Sequence, residues 1–308
     1  MTSTIVVGFD DSPHSHAALH WAAAEAKSRG ARLRIVNAWD PSPVTPWNLP
    51  EVADWHERAA TEAQNAAEAA RAAVGGGLDV EALAVEGPAG KVLAEQSLHA
   101  ELLVVGSSGH IGLAGLFTGS VSRHLLHRAA CPLVVLGPNA QSDATRRLVL
   151  SPTLDPDGET FDWVARWIER RAVPIYVVSS FDISSSIADA ALTGNGQAVR
   201  AAVHHQTDCW VASLEDVVRQ RAVIPLEIDR AVIEGPARQV LDEQTTPGDL
   251  LVVPAGCEHF VPVAHGECPI AVVPAVRRAR VEEPEAAVFV TSPARRTGVL
   301  SPGAVGVR

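Results

Sequence analysis

Short apolar runs alternate along this chain with longer stretches in which alanine, glutamate and leucine recur at helical spacing. In the first half the runs are Ile5–Phe9, Leu33–Ala38, Val80–Val85, Leu102–Gly106 and Leu133–Leu136. They are nearly continuous Val, Ile and Leu, as expected of strands covered on both faces. Helix signals fill the intervals. Asp11-Ser12-Pro13 offers an N-cap followed by proline in the first turn, and Gly30 closes that helix. Residues 51–74 form an Ala- and Glu-rich stretch ending at Gly75-Gly76-Gly77, and segments 88–100 and 119–130 make a third and a fourth helix. Regular strand–helix alternation predicts an α/β fold, a parallel sheet with helices on both faces.

The pattern occurs twice. Residues 86–105 read EGPAGKVLAEQSLHAELLVV and residues 234–253 read EGPARQVLDEQTTPGDLLVV, aligned without a gap. On either side, Arg34–Asp40 parallels Tyr176–Asp182, and Cys131–Leu136 parallels Cys268–Val273. A tandem duplication follows, with units at 1–138 and 146–274 and a linker at Asn139–Thr145. Residues 275–308 form a C-terminal tail rich in arginine, glutamate and proline. It is expected to be mostly irregular, with one short strand at Val288–Val290.

The chemistry concentrates at residues 104–122, VVGSSGHIGLAGLFTGSVS. A buried strand runs into Gly106 and Gly109, and Gly119-Ser120 opens a helix nine residues later. Glycines let the backbone turn sharply and approach a ligand closely. Successive N–H groups then make a concave nest for phosphate oxygens, and the helix start aims further N–H groups and a partial positive charge at the same place. Ser120 and Ser122 add hydroxyls.

The spacing Gly106-x2-Gly109-x9-Gly119-Ser120 resembles the nucleotide loop of the universal stress protein family. The opening Val6-Val7-Gly8-Phe9-Asp10-Asp11-Ser12 resembles that family's first strand and turn, and Cys131-Pro132-Leu133-Val134-Val135 its last strand. The resemblance spans residues 4–138. It implies two tandem open parallel five-stranded sheets of order 3-2-1-4-5, with a ligand crevice where strands one and four send their connections in opposite directions. It further implies that Gly8, Asp10, Val36 and Ala38 hold the adenosine end of an adenine nucleotide. Gly106, Ser107, Gly109, Gly112, Gly119, Ser120 and Val121 would wrap its phosphates. The cofactor implied is ATP, with or without Mg.

The second unit departs from this pattern. After Leu251-Val252-Val253 come Pro254-Ala255-Gly256-Cys257-Glu258-His259, without the loop glycines or the Gly-Ser helix start. Only 15 residues separate Val253 from Pro269, against 26 between Val105 and Pro132, so most of the loop and the fourth helix are expected to be missing. Its first strand ends Val149-Leu150-Ser151-Pro152-Thr153, with Asp155 arriving late. The second unit is therefore expected not to bind ATP and to serve as a structural partner, docked last strand against last strand as family dimers are. Intrachain pairing and a homodimer both stay open.

Charge narrows the partners. The 308 residues carry a formal net charge of −11, which disfavours nucleic acid and anionic membranes. The basic pairs Arg146-Arg147, Arg170-Arg171 and Arg277-Arg278 read as solvated surface. No signal peptide and no apolar run of spanning length is read, and four scattered cysteines suit a reducing cytoplasm. Gly87-Pro88-Ala89-Gly90-Lys91 lacks the spacing and the hydroxyl residue of a P-loop and reads as a helix start. Cys257, His259, His265 and Cys268 do not have zinc spacing, so no metal is expected. His14, His16, His20, His124 and His127 read as surface histidines on helices, and His204-His205 as an exposed pair on a helix of the second unit. No nucleophile elbow and no carboxylate pair stands out. The expected function is that of a non-enzymatic, ATP-binding stress regulator. The alternatives are a slow ATPase or nucleotidyl-transfer enzyme using the same crevice, and a scaffold that binds nothing.

Overall fold

The computed structural model describes residues 3–41, 49–107, 119–137, 140, 144–152, 158–181, 196–221, 227–256 and 268–274. The tail, with its expected strand at Val288–Val290, lies outside them, as do Gly109, Gly112, Cys257, His259 and His265.

Among the described residues, ten strands form one sheet. In chain order they are β1 (Thr4–Gly8), β2 (Arg32–Trp39), β3 (Val80–Glu86), β4 (Leu102–Gly106), β5 (Leu133–Leu136), β6 (Arg147–Leu150), β7 (Ile175–Phe181), β8 (Ile228–Glu234), β9 (Asp249–Pro254) and β10 (Ile270–Val273). The sheet order is β3-β2-β1-β4-β5-β10-β9-β6-β7-β8. Each half has the order 3-2-1-4-5 and is parallel throughout. The two sheets expected from the resemblance are joined edge to edge. β5 and β10 pair antiparallel, with Val135 opposite Ile270, Val134 opposite Ala271 and Leu133 opposite Val272. Both strands are wholly buried and rich in β-branched residues, so each covers what would otherwise be an open apolar edge of the other.

The helices are α1 (Pro13–Arg29), α2 (Leu49–Ala73), α3 (Ala89–Gln96), α4 (Ser120–Arg128), α5 (Gly158–Arg170), α6 (Gly196–Arg221) and α7 (Ala237–Gln244). The ends of α1 follow the sequence signals. Ser12 Oγ accepts from the Ser15 N–H at 3.2 Å, Pro13 occupies the first turn, and Gly30 takes the left-handed conformation at φ 63°. The repeated helix differs between halves at its end. After α3 the chain adds a 3₁₀ turn at Ser97–His99, whereas α7 stops at Thr245. There Pro247 disfavours a helical conformation at Thr246.

On one face of the sheet a single apolar core runs through both halves, taking in Leu19, Trp21 and Ala22 from α1, Ala66 and Ala70 from α2, Trp163 and Trp167 from α5 and Leu214 from α6. On the other face the core is divided. One part lies under α3 and α4, with Leu93 and Leu125, and the other under α7, with Val240 and Leu241; Leu126 of α4 packs against both.

Polar groups reinforce the seam on the continuous face. The Glu25 carboxylate is fully buried and takes Arg29 Nε at 3.1 Å, Arg171 Nη1 at 3.2 Å and the Thr145 N–H at 2.6 Å. The Arg29 guanidinium lies 3.5 Å above the Trp167 ring and reaches Glu101 at 3.2 Å, and Arg170 also pairs with Glu101. Arg170-Arg171 is therefore part of the joint between the halves, not solvated surface. Arg147 departs from that expectation too. It grips Asp249 through Nε at 2.8 Å and Nη2 at 2.6 Å and stacks on Tyr176. Basic dipeptides give no hint of such partners, because their acidic counterparts are distant in sequence.

Candidate functional site

β1 and β4 are neighbours in parallel register, with Ile5 opposite Leu102 and Val7 opposite Val104. The chain leaves β1 into α1 and later enters α4 after β4, so two helix N-termini stand above the carboxyl ends of adjacent strands. Open α/β sheets place their ligands at this topological position. A cleft of about 570 Å³ opens there.

Nine of the eleven residues singled out from sequence line this cleft: Gly8, Asp10, Val36, Ala38, Gly106, Ser107, Gly119, Ser120 and Val121. Gly109 and Gly112 lie outside the described residues. Phe9, Ser12, His14, Ser15, Ala89, Leu93, Val105 and Ser122 complete the lining. His14 was expected on the surface. It is only partly exposed and borders the cleft, because α1 begins directly over the end of β4. Its place next to the N-cap was the one sequence signal available. Ala89 and Leu93 carried none, since their role depends on α3 folding over the end of β1.

Close packing explains the glycines. A Cβ on Gly106 would lie 2.4 Å from the His14 carbonyl oxygen, and one on Gly8 would lie 2.8 Å from Leu93 Cδ1. Among the described residues, main-chain groups are left without partners at two places. In a parallel ladder, alternate residues direct their main-chain groups to opposite neighbours. Val36 C=O accepts from the Phe9 N–H toward β1, and Trp39 C=O from the Gly87 N–H toward β3. Ala38 faces the same side as Val36, but the register with β1 ends at Gly8 opposite Val36. The N–H and C=O of Ala38 thus extend past β1 over the cleft. The second place is the start of α4, where Gly119 occupies the cap position without a side-chain capping bond. Its first-turn N–H groups are the orphan donors of any helix start, here facing the cleft.

Asp10 hangs at the rim. Partial burial alone would raise its pKa, but hydrogen bonds from the Ser12 side chain and N–H and from the Ser15 hydroxyl outweigh this and lower it. The carboxylate is therefore ionised at neutral pH, and the Ser12 N–H holds it at 3.2 Å. The following residue, Asp11, takes φ 59°, a turn conformation that aspartate tolerates better than most residues. Its carboxylate meets His16 Nε2 at 2.9 Å.

The equivalent place in the other half is built differently. Pro254 ends β9 opposite Val273, as Gly106 ends β4 opposite Leu136. A pyrrolidine ring thus stands where the first half has no room for a methyl group. At the opposite, amino end of these strands, Cys268 is a partly buried thiol whose pKa desolvation pushes up to about 12, with its Sγ 3.4 Å from the Asp249 carbonyl oxygen. It is a protonated packing group at neutral pH.

Comparison with known proteins identifies the family and the fold. The universal stress protein family model matches residues 1–137. A universal stress protein of Thermus aquaticus is 32% identical over 141 residues, which cover 44% of this chain and 99% of that protein. The universal stress protein Rv2624c of Mycobacterium tuberculosis is 35% identical over 175 residues. The chain spans 63% of the length of that relative and 47% of a second one, Rv2005c. A crystal structure of a universal stress protein from Archaeoglobus fulgidus covers 88% of this chain and 96% of its own, with a TM-score of 0.58 at 13% identity, a likeness of fold. A universal stress protein crystallised in complex with cAMP is 30% identical over 44% of this chain and 98% of its own, with a TM-score of 0.34. The chain belongs to the universal stress protein family. Among the described residues, no helix is long and apolar enough to cross a membrane.

Proposed function

We propose that this protein binds an adenine nucleotide, ATP in particular, in the cleft above β1 and β4, and acts as a stress-response regulator. The observation that carries this reading is the pairing of two unspent sets of main-chain groups at opposite ends of one cleft. Ala38 offers one donor and one acceptor, the complement of the adenine N1 and N6 edge. The start of α4 offers several N–H donors and a partial positive charge, worth about 0.3–1 kcal/mol to an exposed anion and up to ~2 when partly buried. Asp10 lies between as an acceptor for ribose hydroxyls. Gly109 and Gly112 would complete the wrap around the phosphates.

In this reading residues 1–138 form the binding unit and residues 146–274 its permanent partner, attached through β5 and β10. The second unit does not bind ATP, since Pro254 replaces the close-approach glycine. The chain then behaves as a self-paired monomer, because β10 already occupies the strand edge that a second copy would use.

Mass measurement of small molecules released from purified protein tests the reading, together with calorimetric titration of ATP. Binding of one ATP per chain is expected. Replacing Asp10 with Ala should weaken it about 10- to 100-fold, the loss of a hydrogen bond to a charged group at about 1.5–3 kcal/mol. No released nucleotide and no heat with added ATP would leave a scaffold. The enzymatic alternative predicts phosphate release near about 1–10³ s⁻¹. The regulatory reading predicts release far below that range.

A further inference from the structure

We infer that His14 is the charge partner of the bound phosphates and that nucleotide binding takes up a proton at its imidazole. The inference rests on the adenine-nucleotide reading of the cleft. Its basis is a charge imbalance. Asp10 is the one carboxylate in the described lining, and that lining holds no Lys or Arg. A nucleotide brings at least two further negative charges to this place. β2 contributes Val36 and Ala38, α3 contributes Ala89 and Leu93, and α4 contributes Ser120, Val121 and Ser122; none of these carries a charge. The intervening loop sequence also lacks Lys and Arg and has His110 as its one titratable residue, outside the described residues. Arg123 is exposed on α4 and is not in the lining.

His14 is placed for this role. It sits in the first turn of α1, wedged against the end of β4 so tightly that a Cβ on Gly106 would approach its carbonyl oxygen to 2.4 Å and its Cβ to 2.8 Å. It therefore stands beside Gly106 and Ser107, where the glycine loop begins. Among the described residues its ring has no hydrogen-bond partner. Asp11 is engaged with His16, and Asp10 with Ser12. A polyphosphate beside the ring favours the charged imidazolium, so in this proposal the imidazole holds its proton to higher pH in the complex than in the free protein. Affinity is then greatest below the free pKa and is lost as the pH rises through the pKa of the complex. One unit of difference corresponds to about tenfold in affinity.

Titration of ATP into the full chain in EDTA-containing buffer, between pH 6 and pH 8, tests this. The wild type should bind about tenfold more tightly at pH 6 than the ATP titration shared with a His14→Gln variant explains. Calorimetry in two buffers of different ionisation heat should show proton uptake in the wild type that H14Q loses and H110Q keeps. Adenosine, which lacks phosphates, should bind both variants alike and without this pH dependence, which also reports that H14Q is folded. An unchanged pH profile and unchanged proton uptake in H14Q overturn the role of His14 while leaving the nucleotide reading intact. Absence of ATP binding by the wild type at pH 6 overturns both.

Discussion

Glu25→Ala is expected to lower the unfolding free energy by about 3–5 kcal/mol, the range for breaking a buried ion pair from one side. The side chain has no exposure to solvent, and that of Arg29 is 1% exposed. Removing the carboxylate leaves Arg29 and Arg171 facing one another and leaves the Thr145 N–H without its acceptor. Burial already pushes the Arg29 pKa down, opposed chiefly by Glu25 and then by Glu101. Without Glu25 only Glu101 opposes it. Glu25→Gln keeps the shape and one acceptor and should cost less. The sharper control is the combined replacement Glu25→Leu, Arg29→Met and Arg171→Met. Buried ion networks exchanged whole for apolar groups are often neutral, so most of the loss should return. Urea unfolding followed by tryptophan fluorescence measures all three, with Trp167 reporting on the seam itself. A loss below about 1 kcal/mol for Glu25→Ala would mean that the charges contribute little and that the apolar core spanning both halves holds them together.

The seam also marks where sequence reading stops. Strand positions, the two capped ends of α1 and the glycine loop were legible because each depends on local rules: apolar runs, an N-cap serine before proline, glycines after a buried strand; the roles of the cleft residues came from the family resemblance. The strand order within each half came from the family resemblance. The joining of β5 to β10 was anticipated from the same source, but the single continuous sheet and its buried charges were not written in any local pattern. Glu25 sits eight residues before Leu33, and Trp167 sits eight before Ile175, so they hold equivalent places in the two halves. One is a carboxylate and the other an indole, and each faces the arginine of the opposite half. Repeat alignment alone scores that as a mismatch. Three-dimensional pairing turns it into a complementary joint, in which Arg29 stacks on Trp167 and Arg171 pairs with Glu25. The place of His14 at the cleft was not legible for the same reason. Its helical position was legible, but its proximity to β4 depends on a crossing of elements nearly a hundred residues apart.

Gly106→Ala should abolish most nucleotide binding and cost about 1–3 kcal/mol of stability, the range for an added methyl in a packed site. The distances decide this. The new Cβ would meet the His14 carbonyl oxygen at 2.4 Å and its carbonyl carbon at 2.5 Å. These are main-chain atoms of the first helical turn, so no side-chain rotation relieves the contact; α1 must move away from β4. That movement displaces Ser12, His14 and Ser15 together, along with the Asp10 carboxylate that Ser12 holds. Gly8→Ala is the matched control, since it adds the same methyl group one strand away. There the contact is at 2.8 Å to Leu93 Cδ1, the end of a flexible side chain that can rotate. ATP affinity should therefore fall at least about tenfold for Gly106→Ala and by much less for Gly8→Ala. Calorimetry on both variants, with thermal unfolding alongside, separates lost geometry from lost folding. Equal effects at the two glycines would mean that the cleft tolerates movement of α1, and that the fit between that helix and β4 does not set its shape.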